Sequence, residues 1–365
     1  MSRWPGVLRQ INFDWPLLLG LVGLCGIGLL LAYSAGGGAM AALESQGVRV
    51  AIGLTLALLA AQVPLGWLQR LAAPAYLLTV VLLVVVDAIG AIGHGAQRWL
   101  ELGPLRFQPS ELAKLAVPLM VARYLSDRAL PPTPRDVAVA AALLLLPTLL
   151  IAAQPDLGTS LLVAAGGLSV LFLAGLGWRL IGLFGLLAAA GLPLLWLFGM
   201  HDYQRQRVLT LFDPERDPLG TGYHIIQSKI AIGSGGFYGK GWLEGSQTRL
   251  HFLPESATDF VFAVFGEEFG LLGVIGLLLL YGFIIGRGMH IAMQASDGFG
   301  RLLGGGLVCT FFVYVLVNIG MVSGLFPVVG VPLPLVSYGG TSMVTLMLGF
   351  GMLMGIRAHR KLWPA

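Results

Sequence analysis

Apolar residues along this chain come in long uninterrupted runs separated by short polar stretches, without the strict alternation of a half-buried strand. Each run is about 17–25 residues long, the length that crosses the hydrocarbon core of a bilayer as an α-helix. Membrane β-strands would instead alternate apolar and polar residues. We therefore predict an all-α, polytopic integral membrane protein in which residues 1–365 form a single membrane domain.

The runs predict about ten transmembrane helices and one long loop. The predicted spans are residues 15–35, 48–66, 74–92, 111–127, 137–153, 157–176, 179–199, 259–286, 301–325 and 339–357. The long loop, residues 200–258, lies between the seventh and eighth spans. A loop of this length is usually functional. Its apolar, glycine-broken piece, residues 225–241, can lie along the membrane surface as a short helix.

Composition supports the membrane assignment. Hydrophobic residues make up 56% of the chain and charged residues 11%, whereas about a quarter of a soluble protein is charged. The 52 glycines suit helices that approach one another closely in lipid. Cys25 and Cys309 both lie within apolar runs, which favours packing roles over a disulfide or a metal pair.

The distribution of basic residues predicts the orientation. An even number of spans places both termini on one side, and a cytoplasmic assignment puts 12 of the 22 Lys and Arg residues at inner ends and loops. Six of the others lie in residues 200–258, and long segments count weakly in the rule. We expect cytoplasmic termini, and we interpret the net charge of +4 as an orientation signal that indicates no nucleic-acid partner.

A polar motif surrounds the start of the fourth span. Pro109 and Ser110 predict a helix start with Ser110 as the N-cap. Glu111 and Lys114 then lie one turn apart on one helical face and can pair. The pair is either a structural salt bridge or a phosphate site in which Glu111 positions Lys114. Arg98, in the same outer region, is a further candidate for substrate binding.

Two other interruptions carry candidate site residues. Asp156 follows a proline at the end of a span, where it either caps the next helix or belongs to the site. Residues 326–342 contain three prolines that break any helix. Non-helical backbone at membrane depth must lie against protein or water. We expect Ser337 and Thr341 to line an outer cavity, with a tight structural turn as the alternative.

The long loop contains basic residues beside a glycine-rich run. Lys229, Lys240 and Arg249 accompany Gly-Ser-Gly-Gly at residues 233–236, which does not match a Walker loop. A basic surface rich in accessible backbone can bind a pyrophosphate headgroup. It can equally bind ordinary anionic lipid, and the sequence leaves both interpretations open.

Asp259 stands where the chain re-enters the membrane after the long loop, and Glu255 and Thr258 just before it are candidates for substrate binding. A carboxylate in this place can serve as a general base, or it can cap the helix that follows. Glu267 lies about 12 Å further along the same predicted helix. That is longer than the roughly 6.5–9.5 Å between the paired carboxylates of an inverting glycosidase, so Asp259 would act as the only carboxylate base.

Together these motifs resemble the SEDS family of cell-wall polymerases. Three strings in this order carry the resemblance: Phe-Gln-Pro-Ser-Glu-Leu-Ala-Lys at 107–114, Leu-Pro-Glu-Ser-Ala-Thr-Asp-Phe at 253–260 and Ser-Tyr-Gly-Gly-Thr-Ser at 337–342. The resemblance covers nearly the whole chain from Gly93 to Thr345. Residues 154–159 and 239–247 look like the elongation branch of the family. Ala257 departs from the histidine of many relatives, so no histidine acts there.

The resemblance implies a ten-span fold and a peptidoglycan glycosyltransferase of the bacterial inner membrane that polymerises lipid II during cell-wall elongation. It implies Asp259 as the essential acidic residue, with Glu111 and Lys114 as the supporting pair. We expect Asp259 to act as general base on the outer side, in a cavity that Asp156 also lines. Undecaprenyl pyrophosphate would then be the leaving group. The implied partners are a class B penicillin-binding protein and other membrane proteins of the elongation machinery. The resemblance also implies a divalent cation, Mg²⁺ or Mn²⁺, although the sequence shows no closed ligand set.

Two other functions compete with this enzyme. A lipid II flippase would need polar residues that continue through the middle of several spans, whereas the polar signal here stays near one face. A non-catalytic scaffold of the elongation machinery would need no reactive carboxylate. The confinement of the polar signal to one face favours the enzyme.

Overall fold

A computed structural model describes residues 13–93, 96–102, 105–200, 202–217, 220–250, 252–253 and 255–358. Its α-helices are α1 (Trp15–Ala35), α2 (Met40–Ala60), α3 (Leu65–Ile89), α4 (Pro109–Ser126), α5 (Pro134–Ala153), α6 (Leu157–Leu173), α7 (Trp178–Leu194), α8 (Asp202–Phe212), α9 (Thr221–Ser234), α10 (Ser246–Arg249), α11 (Val261–Met293), α12 (Gly298–Val322) and α13 (Thr341–Ala358). Shorter pieces are a π-helical turn at Leu195–Gly199, a 3₁₀ turn at Pro214–Arg216, and strands β1 (Ala91–Gly93), β2 (Ala96–Leu102) and β3 (Leu105–Phe107).

The predicted all-α membrane architecture is confirmed. Helices α1, α2, α3, α5, α11 and α12 are long and apolar enough to cross a membrane, and α6 and α13 are shorter apolar helices. Each of the ten predicted spans falls on one of these helices or on α4 or α7. Helices α2 and α3 begin at Met40 and Leu65, well before the predicted 48 and 74. Both helices begin in amphipathic sequence that precedes the apolar run.

Capping side chains mark several helix starts. Asp14 accepts the Leu17 N–H at 2.9 Å at the start of α1, and Asp297 accepts the Gly300 N–H at 3.2 Å at the start of α12. Thr133 begins α5 with a complete capping box. Each of these oxygens satisfies a backbone N–H that has no partner within the helix.

A small antiparallel sheet stands between α3 and α4, in the region predicted only as an outer segment. Its order is β1-β2-β3. Trp99 pairs with Ala91 in β1, and Leu100 pairs with Phe107 in β3. The all-α prediction did not include this sheet. Three strands of three to seven residues are too short to give a clear alternating pattern.

Helix α12 lies at the centre of the bundle and packs against α4, α6 and α11. Most of its surface is buried, and α4 is likewise buried along nearly its whole length. Polar side chains on these two helices are therefore enclosed by protein rather than lipid. Lipid-side positions on α2, α3 and α5 carry large exposed apolar residues such as Leu59, Leu78 and Leu149.

Helix α11 is broken at Gly270, where φ is +64°. In an unbroken helix the Glu267 and Glu268 carbonyls would accept from the N–H groups of Leu271 and Leu272. Instead they accept from Lys240 and Gly241, each at 3.0 Å, while Leu271 and Leu272 donate to the carbonyls of residues 236 and 237. The loop backbone thus replaces both helical bonds, which meets the requirement for satisfied backbone groups near a membrane.

An ion cluster joins three helix ends on one face of the bundle. Buried Asp14, before α1, accepts two bonds from Arg287 near the end of α11, at 3.0 and 2.9 Å. Arg357, near the end of α13, also contacts Asp14. The start of the first span and the end of the last span therefore lie on the same face. The start of α11, next to Asp259, lies at the opposite end of that helix.

Part of the long loop is helical. Helix α9 overlaps the predicted piece 225–241 and packs against α11 and α12. Ile225, Ser228 and Ala231 form its buried side, and the Ser228 hydroxyl donates to the Val322 carbonyl at 2.8 Å. That α9 lies along the membrane surface stays a prediction.

Candidate functional site

Asp259 lies in the turn that leads into α11, where it is partly exposed. Phe260 occupies the N-cap position of the helix, so Asp259 is not the N-cap. Three successive carbonyls of this turn accept hydrogen bonds. Ala257 accepts from the Tyr338 N–H at 2.8 Å, Thr258 from the Ser337 hydroxyl at 2.5 Å, and Asp259 from the Asn318 amide at 2.9 Å. The backbone beneath the carboxylate is therefore fixed at three consecutive residues.

The Asp259 carboxylate faces the proline-rich break, residues 326–342. Gly330 has a φ of +72°, and a Cβ built there would lie 3.4 Å from Asp259 Oδ2. A larger residue at this position would be strained in its backbone and would place its side chain against the carboxylate. The break therefore forms one wall of the site, and its glycine leaves room beside the acidic group.

Glu111 and Lys114 form a buried ion pair on α4. The Lys114 Nζ donates to Glu111 Oε1 at 2.7 Å and to the Tyr314 hydroxyl of α12 at 3.2 Å. It also lies 4.6 Å from the centre of the Tyr314 ring, a favourable cation–π distance. Glu111 and Lys114 are only 5% and 3% exposed. The predicted pairing is present, and it reaches a third residue that the sequence analysis did not select.

The predicted cap of α4 is wrong. Gln108 is the N-cap, and no side chain caps the helix. Ser110 lies in the first turn and is buried. Pro109 takes the first helical position, where its missing N–H costs nothing, so the helix begins two residues earlier than it would with Ser110 as the N-cap.

Asp156 does cap a helix. Its Oδ1 accepts the Thr159 N–H at 3.1 Å at the start of α6, and its Oδ2 accepts from the Gln108 amide at 3.0 Å. Arg98 lies 4.0 Å from the carboxylate and donates to the Gln154 carbonyl at 3.2 Å. Asp156 therefore joins the sheet, α4 and α6. The cap interpretation is confirmed, and its role in the site stays a prediction.

The proline-rich break connects these groups. A Cβ at Gly158, two residues after Asp156, would lie 2.8 Å from the Val329 carbonyl. Val331 packs against Tyr314 in a buried apolar cluster. Asp156, the Lys114 pair and Asp259 therefore surround a single stretch of non-helical backbone.

The remaining predicted residues of this region have mixed positions. Ser337 is buried, and its hydroxyl also accepts the Leu333 N–H at 2.7 Å. Glu255 is exposed, and its Oε2 accepts the Thr258 hydroxyl at 2.7 Å. Thr341 is the first residue of α13. Ser337 and Thr258 thus hold the turn, whereas Glu255 faces outward.

The basic residues of the long loop do not gather at Asp259. Lys240 donates to Glu267 Oε1 at 2.7 Å and to the Ser246 hydroxyl at 2.8 Å. Lys229 is exposed, and its ammonium lies beside the backbone of Gly324. Arg249 is exposed on α10. The contact of Lys240 with Glu267 attaches the loop to the first half of α11.

His224, on α9, stacks on Phe260 with ring centres 5.5 Å apart. Burial lowers the pKa of His224 below its usual value, and nearby Arg207 acts in the same direction, while Glu255 and Asp217 oppose the shift. Its imidazole is therefore neutral at neutral pH and adds no charge beside the turn.

Sequence reasoning missed Tyr314 and Asn318, which lie one turn apart on α12. Both are fully or nearly fully buried. The signal was available, because polar residues inside a span are rare and tend to face a protein interior or a functional cavity. Gln108 was also overlooked, since its importance comes from its contact with Asp156 across the bundle.

The implied divalent cation finds no closed site in the described part of the chain. No group of three or more His, Cys, Asp or Glu side chains there could hold a metal ion. The carboxylates of the region are bound to protein groups: Glu111 to Lys114, Asp156 to the α6 backbone, and Glu267 to Lys240.

A cavity of about 350 Å³ adjoins the break. Residues 327–329 and apolar positions of α6 form much of its wall, and its polar lining consists of Arg98, Thr148, Ser160, Gln204 and Arg207. The cavity therefore combines two guanidinium groups with an apolar wall. Such a surface can accept a phosphate-bearing lipid.

Comparisons with known proteins show the family of this chain. The FtsW/RodA/SpoVE family profile, described as a cell cycle protein, matches residues 11–362. The chain is 56% identical over 353 residues to the peptidoglycan glycosyltransferase MrdB of Escherichia coli, covering 97% of this chain and 95% of that protein. It is 37% identical over 371 residues to a probable peptidoglycan glycosyltransferase FtsW of Trichlorobacter lovleyi, covering 98% and 96%.

Solved structures give the same result. A chain from work on the structural coordination of polymerization and crosslinking by a peptidoglycan synthase complex superposes with a TM-score of 0.83 at 35% identity, covering 96% of this chain and 99% of that one. The crystal structure of the Thermus thermophilus rod shape determining protein RodA superposes with a TM-score of 0.73 at 32% identity, again covering 96% and 99%.

Proposed function

This chain belongs to the FtsW/RodA/SpoVE family and is a peptidoglycan glycosyltransferase of the multi-pass membrane type, and from this premise we propose that Asp259 is its general base. The observation that carries the proposal is the position of the carboxylate. Asp259 stands on a turn held at three successive carbonyls and faces Gly330 in the break. The next residue, Val331, packs against Tyr314, whose hydroxyl accepts from Lys114.

The reaction joins the sugars of two lipid II molecules, or of lipid II and a growing strand. Asp259 takes the proton from the acceptor hydroxyl as that oxygen attacks the anomeric carbon of the donor. The bond from this carbon to the pyrophosphate breaks, the configuration inverts, and undecaprenyl pyrophosphate leaves with the electron pair. One carboxylate suffices because the pyrophosphate is already a good leaving group.

Glu111, Lys114 and Asp156 act as supporting residues in this proposal. Lys114 is held by Glu111 and Tyr314 at close range, so it supplies a fixed positive charge near the reacting groups rather than a flexible arm. Preorganised charges of this kind stabilise developing charge without reorganising during the reaction. Asp156 fixes α6 and, through Gly158, the adjoining break.

The donor lipid would bind on the side of the cavity that contains Arg98 and Arg207. We place its pyrophosphate near these guanidiniums and its tail along the apolar wall, with Thr258, Ser337, Thr341 and Glu255 nearer the sugars. Lys229, Lys240 and Arg249 form an outer basic surface for lipid headgroups. The active site then faces outward, and both termini face the cytoplasm, as the distribution of basic residues predicts.

A class B penicillin-binding protein is the proposed partner, because crosslinking must follow polymerisation on the same strand. The similar chain from a peptidoglycan synthase complex supports this assignment. Other membrane proteins of the elongation machinery are further proposed partners.

The test is polymerisation by the purified protein with its penicillin-binding partner and lipid II in detergent. Intact protein should form glycan strands that are visible on a gel, and Asp259→Asn should form none while it still binds the partner. Glu244→Gln is the matched control, since Glu244 is an exposed carboxylate of the same loop, and it should polymerise normally.

Other outcomes discriminate the competing functions. Full polymerisation by Asp259→Asn would overturn the role of Asp259 as base. Transport of lipid II across vesicles without any polymer would support the flippase. Partner binding with neither transport nor polymer would support a scaffold.

A further inference from the structure

Asn318 is a buried amide on α12 that bridges two segments of the site. Its Nδ2 donates to the Asp259 carbonyl at 2.9 Å and to the Val331 carbonyl at 2.6 Å. The side chain is 0% exposed. Because both neighbours are acceptors, only the NH₂ group can face them. One residue from a third element thus joins the catalytic turn to the wall that it faces.

The oxygen of the same amide shows that the bridge carries a free-energy penalty. Asn318 Oδ1 is buried and has no partner among the described residues. A buried carbonyl oxygen without a hydrogen bond is unfavourable, and a leucine of similar size would fill the same space in an apolar helix. The amide therefore serves the two carbonyls and not the packing of α12.

The bridge bears directly on the carboxylate. The backbone at Asp259 is held by two side chains. The Ser337 hydroxyl donates to the Thr258 carbonyl, and the Asn318 amide donates to the Asp259 carbonyl. The other end of the bridge is Val331, the residue after Gly330, which lies against the carboxylate. A change at Asn318 releases the Asp259 peptide and the facing wall together.

The geometry points to Asn318 as a positioning residue, which fixes Asp259 relative to the proline-rich break so that its carboxylate meets the acceptor hydroxyl. This inference rests on the proposed role of Asp259 as base. Asn318 does not contact substrate, and its effect passes through the backbone. A shift of about 1 Å in a reacting group can cost about 100-fold in rate.

The test is steady-state polymerisation of lipid II by Asn318→Leu, which keeps the volume and removes both donors, and by Asn318→Ser, which leaves room for water at the two carbonyls. Thr310→Val is the control. Thr310 is a buried polar residue of the same helix whose hydroxyl donates only within α12, to the Gly306 carbonyl.

Both Asn318 variants should lower kcat by about 10- to 100-fold, with KM for lipid II within a factor of three, and Asn318→Ser should lose less. Their melting temperatures and gel-filtration profiles should match those of Thr310→Val, which should keep its kcat. A smaller loss for the serine variant would separate a hydrogen-bonding role from packing.

Wild-type kcat in both Asn318 variants would overturn the inference. So would a loss of activity that only follows the folded fraction, since that is the result of a structural defect. Asp259→Asn, assayed in parallel, keeps the two proposals apart. If Asp259→Asn polymerises normally, the assignment of Asp259 as base is wrong. If Asp259→Asn is inactive and both Asn318 variants are fully active, only the positioning role of Asn318 is wrong.

Discussion

At the scale of residues, the site depends on charges that are buried in a closely packed bundle. Glu111 and Lys114 are almost inaccessible, and Glu111 Oε2 has no partner within the described chain. A buried pair is strongly destabilising to break, by about 3–5 kcal/mol when one partner is removed, yet its replacement by apolar residues can be neutral. Stability alone therefore does not explain why an ion pair stands here.

The energetics of a buried ion pair predict how variants of Glu111 and Lys114 behave. Glu111→Leu and Lys114→Met should each lower the melting temperature in detergent, because each leaves a charge buried alone. The double variant should recover most of that loss and still fail to polymerise, because the charge beside Tyr314 is gone. A double variant with normal polymerisation, in the gel assay, would show that the pair is structural only.

At the scale of elements, the break in α11 decides how the long loop is attached. The loop backbone takes the place of two helical bonds at Gly270, and it can do so only because the chains approach closely. A Cβ at Gly239, where φ is +83°, would lie 2.1 Å from the Glu268 carbonyl. Lys240 adds its ion pair with Glu267 at the same place. The loop is thus attached mainly by backbone hydrogen bonds that the small glycine allows, and the Lys240–Glu267 ion pair adds to them.

We predict that Gly239→Ala will detach this part of the loop. Hydrogen exchange of residues 236–241 should accelerate, because the bonds of Lys240 and Gly241 to α11 are lost. Gly233→Ala is the control, since a Cβ there meets nothing within 4 Å and alanine favours the helix it lies in. Equal protection in both variants would contradict this account of the loop.

At the scale of the whole molecule, the bundle has two distinct faces. The Asp14 cluster joins the ends of α1, α11 and α13 on one face. Asp259, Asp156 and the break lie at the other ends of their helices. The seventeen residues from Leu271 to Arg287 alone span about 25 Å as a helix, close to the thickness of a hydrocarbon core.

Orientation follows as a prediction that labelling can check. In a variant with Cys25 and Cys309 replaced by alanine, Glu244→Cys should react with a membrane-impermeant maleimide on intact spheroplasts. Ser296→Cys should react only after lysis, because the exposed α11–α12 turn is expected in the cytoplasm. The reverse pattern would invert the topology and place Asp259 on the inner side.

The sequence by itself determined the membrane class, the ten spans and the position of the central carboxylate, because long apolar runs and prolines act locally. It also placed Glu111 and Lys114 together, since they lie one helical turn apart. Only the tertiary structure decided that Tyr314 and Asn318 join the site, that Gln108 contacts Asp156, and that Lys240 is bound to Glu267. These pairs are distant along the chain, and their contacts depend on helix packing and on backbone hydrogen bonds at breaks, which no local pattern encodes.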